Sequence, residues 1–576
     1  MTATDWLVIV VVLLGIIVYG LYKSRTTKNL DGYFLSNRSM PWYLVLLSIM
    51  GTQASAITFL SGPGQAYADG MRFVQNYFGI PLAMVVICIT FVPIFNRLRV
   101  YTAYEFLTRR FDNKTRLLTS FLFLLQRGVS TGVSIYAPSI ILSALFGWDI
   151  FWTNMVMGGL LIIYTVSGGA RAVAYTQTIQ IVMIFIAMAL AGYVLVSSLP
   201  PNVGLGRALH LGGTMGRMNV ITSGRTAHGF DWSDRYNIWS GLIGGFFLSL
   251  SYFGTDQSQV GRYLTAQNNR ESRLGLLMNG LVKIPMQFFI LMIGVLVFVF
   301  YQFRGAPISF NDALVTQVQA TPYRDSLQGL QHRFDSVNTL KLGAVQRFTN
   351  SGDESLKGEL RRLNTQAEGY RSDFNSLVKT ATGKDGNDTN YVFLSYVKHY
   401  LPVGLKGLLI AVIFLAAWGS IAAALNSLAA SSVVDFHQPL RGDKAADPYH
   451  LSRWYTLGWG LFSILVAQFS TRLGQSLIEA VNVLGSLFYG VILGIFLVAF
   501  YLKRAGGTAT FTAAIIIEIG IVLLFFNEKI PSLRWLPDIS FLWLNAIGSL
   551  GVVLLATLLQ LFIRKPQIEL NESQSP

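Results

Sequence analysis

Apolar residues along this chain gather into long runs separated by short polar stretches. Runs of about 18 residues or more, the length that crosses about 30 Å of hydrocarbon, recur near 5–22, 42–66, 74–95, 118–146, 149–168, 174–198, 237–262, 275–302, 402–434, 454–471, 475–502, 508–526 and 541–563. The pattern predicts an all-α polytopic membrane protein with 13 transmembrane helices. The first run, Trp6 to Tyr22, has no basic residue before it and no small-residue cleavage site after it. Lys23, Arg25 and Lys28 follow instead, the ending of a retained anchor rather than of a signal peptide.

Two of the runs are spoiled in the middle. From Pro41 to Gly70 an apolar stretch meets Gly51-Thr52-Gln53-Ala54-Ser55 and then Ser61-Gly62-Pro63-Gly64. In 237–262, Ser249, Ser251 and Gly254-Thr255-Asp256-Gln257-Ser258-Gln259 interrupt the apolar residues. An unpaired backbone carbonyl in hydrocarbon costs several kcal/mol, so such breaks persist only where the freed carbonyls face protein, water or an ion. Discontinuous helices near the bilayer midplane are how many secondary transporters hold a solute and its coupling cation. Counting from Pro41, the second broken span is the sixth. Two halves of five spans, each opening with a broken helix, match an inverted repeat.

A long polar insert follows the eighth run. Leu327, Leu330, Phe334, Val337 and Leu340 repeat at three/four spacing, as do Leu356, Leu360, Leu363, Ala367, Tyr370, Phe374 and Leu377, with the turn signal Asn350-Ser351-Gly352-Asp353 between them. This predicts an extracytoplasmic helical hairpin, either a cap on the transporter or a docking face for a further partner. The expected organisation is an extra first helix and its loop (1–40), core helices one to five (41–199), an outer loop (200–236), core helices six and seven (237–303), the insert (304–400), core helices eight to ten (401–505), two added spans (506–566) and a polar tail (567–576).

Charge refines this picture. Of 576 residues only 13% are charged, about half the share of a soluble protein, yet the formal net charge is +15. Basic clusters follow the odd-numbered runs: Lys23, Arg25, Lys28 and Arg38; Arg97, Arg99, Arg109, Arg110, Lys114 and Arg116; Arg171; Arg270 and Arg273; Arg441, Lys444 and Arg453; Lys503 and Arg504; Arg564 and Lys565. The positive-inside bias places those loops in the cytoplasm, the amino terminus outside and the tail inside a cell membrane. The positive charge is thus topological, and no nucleic acid is expected. A single cysteine, Cys88, excludes a disulfide framework. The six histidines fall in loops or at span ends, which argues against an embedded enzyme, so no catalytic residues are expected.

Candidate binding residues sit at the breaks. Ala416, Gly419 and Ser420 share one helix face, and Gly51 and Ala54 can turn loose carbonyls toward it. Several oxygens without a carboxylate suit Na⁺; the alternative is that small residues here only let helices pack closely. Lys283 lies inside an apolar run, where an ionisable residue points to function, unless it snorkels to the interface. Asp256, six residues from Arg262, reads as a structural ion pair or helix-end contact rather than a proton relay.

Several motifs resemble the sodium:solute symporter family, which includes sodium/glucose, sodium/monocarboxylate, sodium/iodide, sodium/proline and sialic acid transporters. They are Ser39-Met40-Pro41-Trp42, Ser55-Ala56-Ile57-Thr58-Phe59-Leu60, Pro63-Gly64-Gln65-Ala66-Tyr67, Tyr101-Thr102-Ala103-Tyr104-Glu105-Phe106-Leu107, Gly168-Gly169 through Ala172-Val173 to Thr176 and Gln180, Gln257-Ser258-Gln259-Val260 with Arg262-Tyr263-Leu264, Leu401-Pro402-Val403-Gly404 with Lys406-Gly407, and Leu425-Asn426-Ser427. The resemblance implies a five-plus-five inverted-repeat (LeuT-like) core with one span before it and two after. It implies a sodium site on Gly51, Ala54, Ala416 and Ser420, with Gly419 standing where the family usually has a second hydroxyl. Thr176-Gln177 replaces the family's Thr-Asp, and Ala422 and Ala423 replace hydroxyls of an additional cation site, so one sodium per solute is expected. For the solute, the resemblance points to Gln53, Thr58, Gln75, Asn76, Tyr77, Ser249, Tyr252, Lys283 and Asn482. The function implied is sodium-driven import of a small polar solute (a sugar, sialic acid or carboxylate) by alternating access. Proton-coupled symport, with Asp256 as first suspect, and a transport-like solute sensor are the alternatives.

Overall fold

The computed structural model describes residues 1–24, 32, 35–441, 448–470, 476–527 and 530–563, without the side chains of 21, 23, 24, 167–172, 440, 441, 448 and 449. Arg25, Lys28, Lys444, Arg564, Lys565 and the tail 567–576, all used above to assign orientation, lie outside the described residues. Most of the described residues are helical; among them two short strands, Arg225–Thr226 and Gly229–Phe230, form a hairpin with Arg225 opposite Phe230. Among the described residues nine helices are long and apolar enough to cross a membrane, with Trp42–Gln53 and Ile150–Val166 as shorter apolar helices.

The elements that position the site are α1 (Ala3–Ser24), α2 (Trp42–Gln53), α3 (Ala56–Asp69), α4 (Ile80–Val86), α5 (Asn113–Phe146), α6 (Ile150–Ser197), α7 (Gly245–Thr255), α8 (Gln257–Tyr263), α9 (Asn269–Arg304), α10 (Arg324–Ser351), α11 (Leu356–Thr382), α12 (Leu405–Ser431) and α13 (Leu477–Tyr501). The most enclosed of the apolar helices is α12, with 94% of its apolar window buried. It packs against α1, α2, α5 and α6. Its small residues Ala416, Ala417, Gly419, Ala422 and Ala423 permit that close approach.

Both predicted breaks exist, but only one of the two signals in the first span produces one. α2 ends at Gln53; Ala54 (φ −83°, ψ 81°) and Ser55 (φ −84°, ψ 174°) are non-helical, and α3 restarts at Ala56. The Ser61-Gly62-Pro63-Gly64 stretch, expected as a second interruption, lies inside α3. Its glycines serve packing instead. A Cβ on Gly64 would sit 1.9 Å from the Thr389 carbonyl oxygen, and one on Gly294 2.2 Å from that of Pro63. In the other span α7 gives way to α8 at Asp256 (φ −74°, ψ 118°).

The third run begins later than its hydropathy predicts. Gly70–Tyr77 is a 3-10 turn, and α4 starts at Ile80. A continuous helical assignment covers Ile150–Ser197, about 72 Å at 1.5 Å per residue. Yet the Tyr164 hydroxyl and Thr176 Oγ1 lie 3.0 Å apart. Twelve residues of straight helix would separate their backbones by about 18 Å, so the chain folds back between them and α6 comprises two arms.

The insert is a helical hairpin, α10 packed on α11, with Gly352 at φ 67° ending the first helix. Leu327, Leu330, Phe334, Val337, Ala344, Val345 and Phe348 face inward. The expected inward Leu340 is 61% exposed, and Lys341 takes the buried position at 4%. The reason is helical phase: 341 lies four residues after Val337 and three before Ala344, on the same stripe.

Candidate functional site

A cavity of about 110 Å³ opens beside the first break. Gln53 and Ser55 come from the break and Thr58 from the first turn of α3. Asn76 and Tyr77 come from the 3-10 turn, Ser249 and Tyr252 from α7, Lys283 from α9 and Asn482 from α13. Five side-chain atoms lining this space are buried without a hydrogen-bond partner: Gln53 Oε1, Asn76 Oδ1, Gln126 Oε1, Asn482 Nδ2 and Arg127 Nε. Buried polar atoms are rarely left unpaired without reason, and a cluster of them around one cavity marks a place where a polar guest completes the bonding.

Lys283 is the strongest feature. It is 1% exposed, so its ammonium does not snorkel to an interface. Nζ lies 5.2 Å from the centre of the Tyr77 ring, and among the described residues no carboxylate comes within 4.0 Å of it. A buried cation with only an aromatic face for company calls for a counter-charge or several acceptors from a ligand.

Gln75 does not belong to this cavity. Its Nε2 donates to Thr222 Oγ1 (3.1 Å) and to the Tyr236 carbonyl (3.0 Å), and its Oε1 accepts from the Thr222 amide (3.2 Å). The amide is consumed in pinning the 200–236 segment, because residues 75 and 76 point apart on a tight turn. Sequence reasoning also missed Ser55, Gln126, Arg127, Ser130 and Tyr489, all of which line the cavity. Arg127 was findable, since an arginine within the apolar run 118–146 carries the same functional signal as Lys283.

Asp256 pairs with Arg127 rather than with Arg262. Its Oδ2 accepts from the Tyr489 hydroxyl at 2.6 Å and lies 3.8 Å from Arg127 Nη1. Its Oδ1 accepts from the amide and hydroxyl of Ser258 (2.7 and 2.6 Å), capping α8. Arg262 is 2% exposed with Nε and Nη1 unpartnered.

Next to the cavity, the break leaves the carbonyls of Gly51, Thr52 and Ala54 without a hydrogen-bond donor among the described residues. The Ser55 amide turns back to Gln53 (3.1 Å) and that of Thr58 to Ser55 (3.0 Å), so neither continues the helical ladder. Gln177 on α6 is wedged between α2 and α12. A Cβ on Gly51 would lie 2.8 Å from that of Gln177, and one on Gly419 3.2 Å from Gln177 Cγ. The Gln177 amide donates to Thr52 Oγ1 (3.2 Å) and to the Gly419 carbonyl (3.1 Å) and accepts from Ser48 (2.9 Å). Gly419 is therefore not a free oxygen ligand: it has no side chain, and its carbonyl is engaged. The space a hydroxyl would need there holds Gln180 Oε1, 2.5 Å from the Cβ position. The Ser420 hydroxyl donates to Ala417 (3.1 Å), leaving its lone pairs available. Among the described residues no cluster of three or more His, Cys, Asp or Glu could hold a metal. The oxygen-only donor set fits a hard monovalent cation.

Comparison with known proteins adds identity to this geometry. The sodium:solute symporter family model matches residues 33–323 and 370–516, leaving most of the hairpin outside the match. The sodium/sialic acid symporter NanT of Aliivibrio fischeri is 24% identical over 94% of this chain and 90% of its own. SiaT of Proteus mirabilis, also named a sodium/sialic acid symporter, is 23% identical over 98% and 96%. The human sodium/iodide cotransporter is 30% identical, over 48% of this chain and 41% of its own. A solved sodium-coupled sialic acid symporter, substrate-bound and outward-open, superposes with a TM-score of 0.74 at 22% identity, covering 98% of both chains; it shows a common fold.

Proposed function

Because the chain belongs to the sodium:solute symporter family, whose members are sodium-coupled transporters rather than enzymes, we propose that it imports a small organic acid with one sodium ion per solute. The observation that carries the reading is Lys283, a buried ammonium without a counter-ion among unsatisfied amides of Gln53, Asn76 and Asn482. A carboxylate on the solute answers Lys283, and its remaining polar groups answer the amides. The cavity of about 110 Å³ is below the roughly 300 Å³ at which drug-sized ligand sites begin, which favours a small solute. Relatives named for sialic acid, iodide and monocarboxylates agree with a negatively charged cargo.

Sodium binds at the first break, on the free carbonyls of Gly51 and Ala54 together with the Ala416 carbonyl and the Ser420 hydroxyl of α12, a helix packed against α2. Gln180 Oε1 takes the place of the hydroxyl absent at 419. The Gln177 amide bridges α2, α6 and α12 where the family's carboxylate would hold a second ion, which supports a single sodium. Two broken helices, at Ala54-Ser55 and at Asp256, support a five-plus-five inverted repeat whose halves rock about the site. The basic loops support an outside amino terminus and a cell-membrane location. Asp256 accepts three hydrogen bonds and faces Arg127, which argues against its acting as a proton relay.

The test is a thermal-shift screen of sugars, sialic acids and short carboxylates with and without sodium, followed by uptake into proteoliposomes. A true ligand stabilises the fold by mass action. Stabilisation by an acid only when sodium is present, with sodium-driven accumulation, is the expected result. Binding without accumulation would favour a sensor, and accumulation that follows a pH gradient and ignores sodium would overturn the coupling.

A further inference from the structure

The seam between the hairpin and the body of the protein encloses a second cavity, about 240 Å³, more than twice the volume of the first. Its charged lining is Arg217 from the 200–236 segment, Lys341 from α10, Glu368 and Arg371 from α11, and Asp388 just beyond. Four of these charges are already matched. Arg217 pairs with Glu368. Arg371 reaches both oxygens of Asp388 (2.8 and 2.6 Å) and also donates to the Pro307 carbonyl (2.9 Å).

Lys341 is left over. It is 4% exposed, and among the described residues it makes no ion pair and no hydrogen bond. The neighbouring wall carries Gln302, fully buried, whose Oε1 has no donor while its Nε2 is spent on the Phe298 carbonyl (3.0 Å). An amphipathic helix that turns Leu340 to solvent and a lysine into its buried stripe accepts a desolvation cost, which a ligand would offset. We propose that this cavity is a second ligand site, separate from the central one, that takes a small hydroxy acid, its carboxylate on Lys341 and its hydroxyl on Gln302. The chemistry is that of a free cation beside an unfilled acceptor, with one net positive charge on the lining. The walls belong to α3 and α9 as well as to the hairpin, so an occupant joins the insert to two helices that also line the central cavity.

Burial lowers the Lys341 ammonium from its ordinary value to about 8, with Arg371 and Arg217 pushing the same way and Glu368 opposing them. Asp388 and Tyr67 complete the titratable groups around the cavity. Bound carboxylate favours the protonated lysine, so affinity falls as pH rises past about 8.

The test uses full-length protein in detergent, radiolabelled lactate as probe and unlabelled methyl lactate as the uncharged competitor. In a Lys283→Met background, which removes the central cation, lactate still binds at one equivalent, and methyl lactate does not displace it. Adding Lys341→Met abolishes this binding. Gln302→Leu weakens it several-fold and serves if the lysine variant does not fold. Lactate retained at full stoichiometry in the double variant, or no lactate bound in the Lys283→Met protein, overturns the proposal. The central reading fails separately: if lactate never enters the central cavity, wild-type protein binds one equivalent and Lys341→Met alone removes it.

Discussion

Lys283→Met separates a functional lysine from a structural one because the two roles move different observables. Lys283 is 1% exposed, its ammonium lies 5.2 Å from the centre of the Tyr77 ring, and among the described residues it makes no ion pair. Holding an uncompensated cation there costs the solute-free protein several kcal/mol even after relaxation and bound water have reduced it. Methionine keeps the length and apolar stem and removes the charge, so the solute-free melting temperature should stay level or rise. Solute affinity should move the other way. A hydrogen bond to a charged group contributes about 1.5–3 kcal/mol, which corresponds to a roughly 10- to 150-fold weaker apparent affinity. The assay pairs sodium-driven uptake in proteoliposomes with thermal shifts by sodium alone and by sodium plus solute. The expected result is a retained shift with sodium alone and a lost or strongly right-shifted response to solute. A melting temperature that falls together with both responses would mark Lys283 as structural, and an unchanged KM would refute its contact with the solute.

Three further outcomes follow from the geometry. Ser420→Ala removes the one side-chain oxygen of the proposed sodium site, so the sodium concentration for half-maximal uptake should rise about tenfold, an effect of about 1.4 kcal/mol; unchanged sodium dependence would place the ion elsewhere. Gly79→Ala puts a Cβ 2.1 Å from the Phe246 amide nitrogen and 2.5 Å from its Cα, backbone that cannot swing aside. It should cost about 1–3 kcal/mol or more in a melting experiment, whereas Gly329→Ala, with nothing within 4 Å, should be neutral or slightly stabilising. For Lys341, burial lowers the folded pKa to about 8 against 10.5, so between those values the unfolded chain binds the extra proton and stability rises with pH. The full span corresponds to about 3 kcal/mol at 1.36 kcal/mol per unit. Lys341→Met should flatten the melting-temperature profile above about pH 8, and parallel profiles would refute the burial argument.

Much of the central cavity was legible because bilayer physics exposes it in one dimension. Polar residues inside an apolar run are expensive, so Gln53, Thr58, Asn76, Ser249 and Lys283 advertise themselves, and the structure gathers them into one space. Gln75 was misread because sequence does not say which of two adjacent amides on a tight turn faces inward. Arg127 was overlooked although the same rule applied to it. The glycines were visible, but not their purpose. Gly64 accommodates the Thr389 carbonyl and Gly51 accommodates Gln177, close approaches between residues far apart in the chain.

By itself the amino-acid order determined that this is a helical membrane protein, which spans are interrupted, and where a lysine lies inside an apolar run. Those properties are local, set by residue hydropathy and backbone hydrogen bonding over tens of residues. Only the tertiary structure decided that Asp256 answers Arg127 and not Arg262, that Gln177 ties Thr52 to Gly419, and that Lys341 rather than Leu340 turns into the seam beneath the hairpin. Charge pairing and the phase of one helix against another depend on distances across the fold, which no pattern along a single chain encodes.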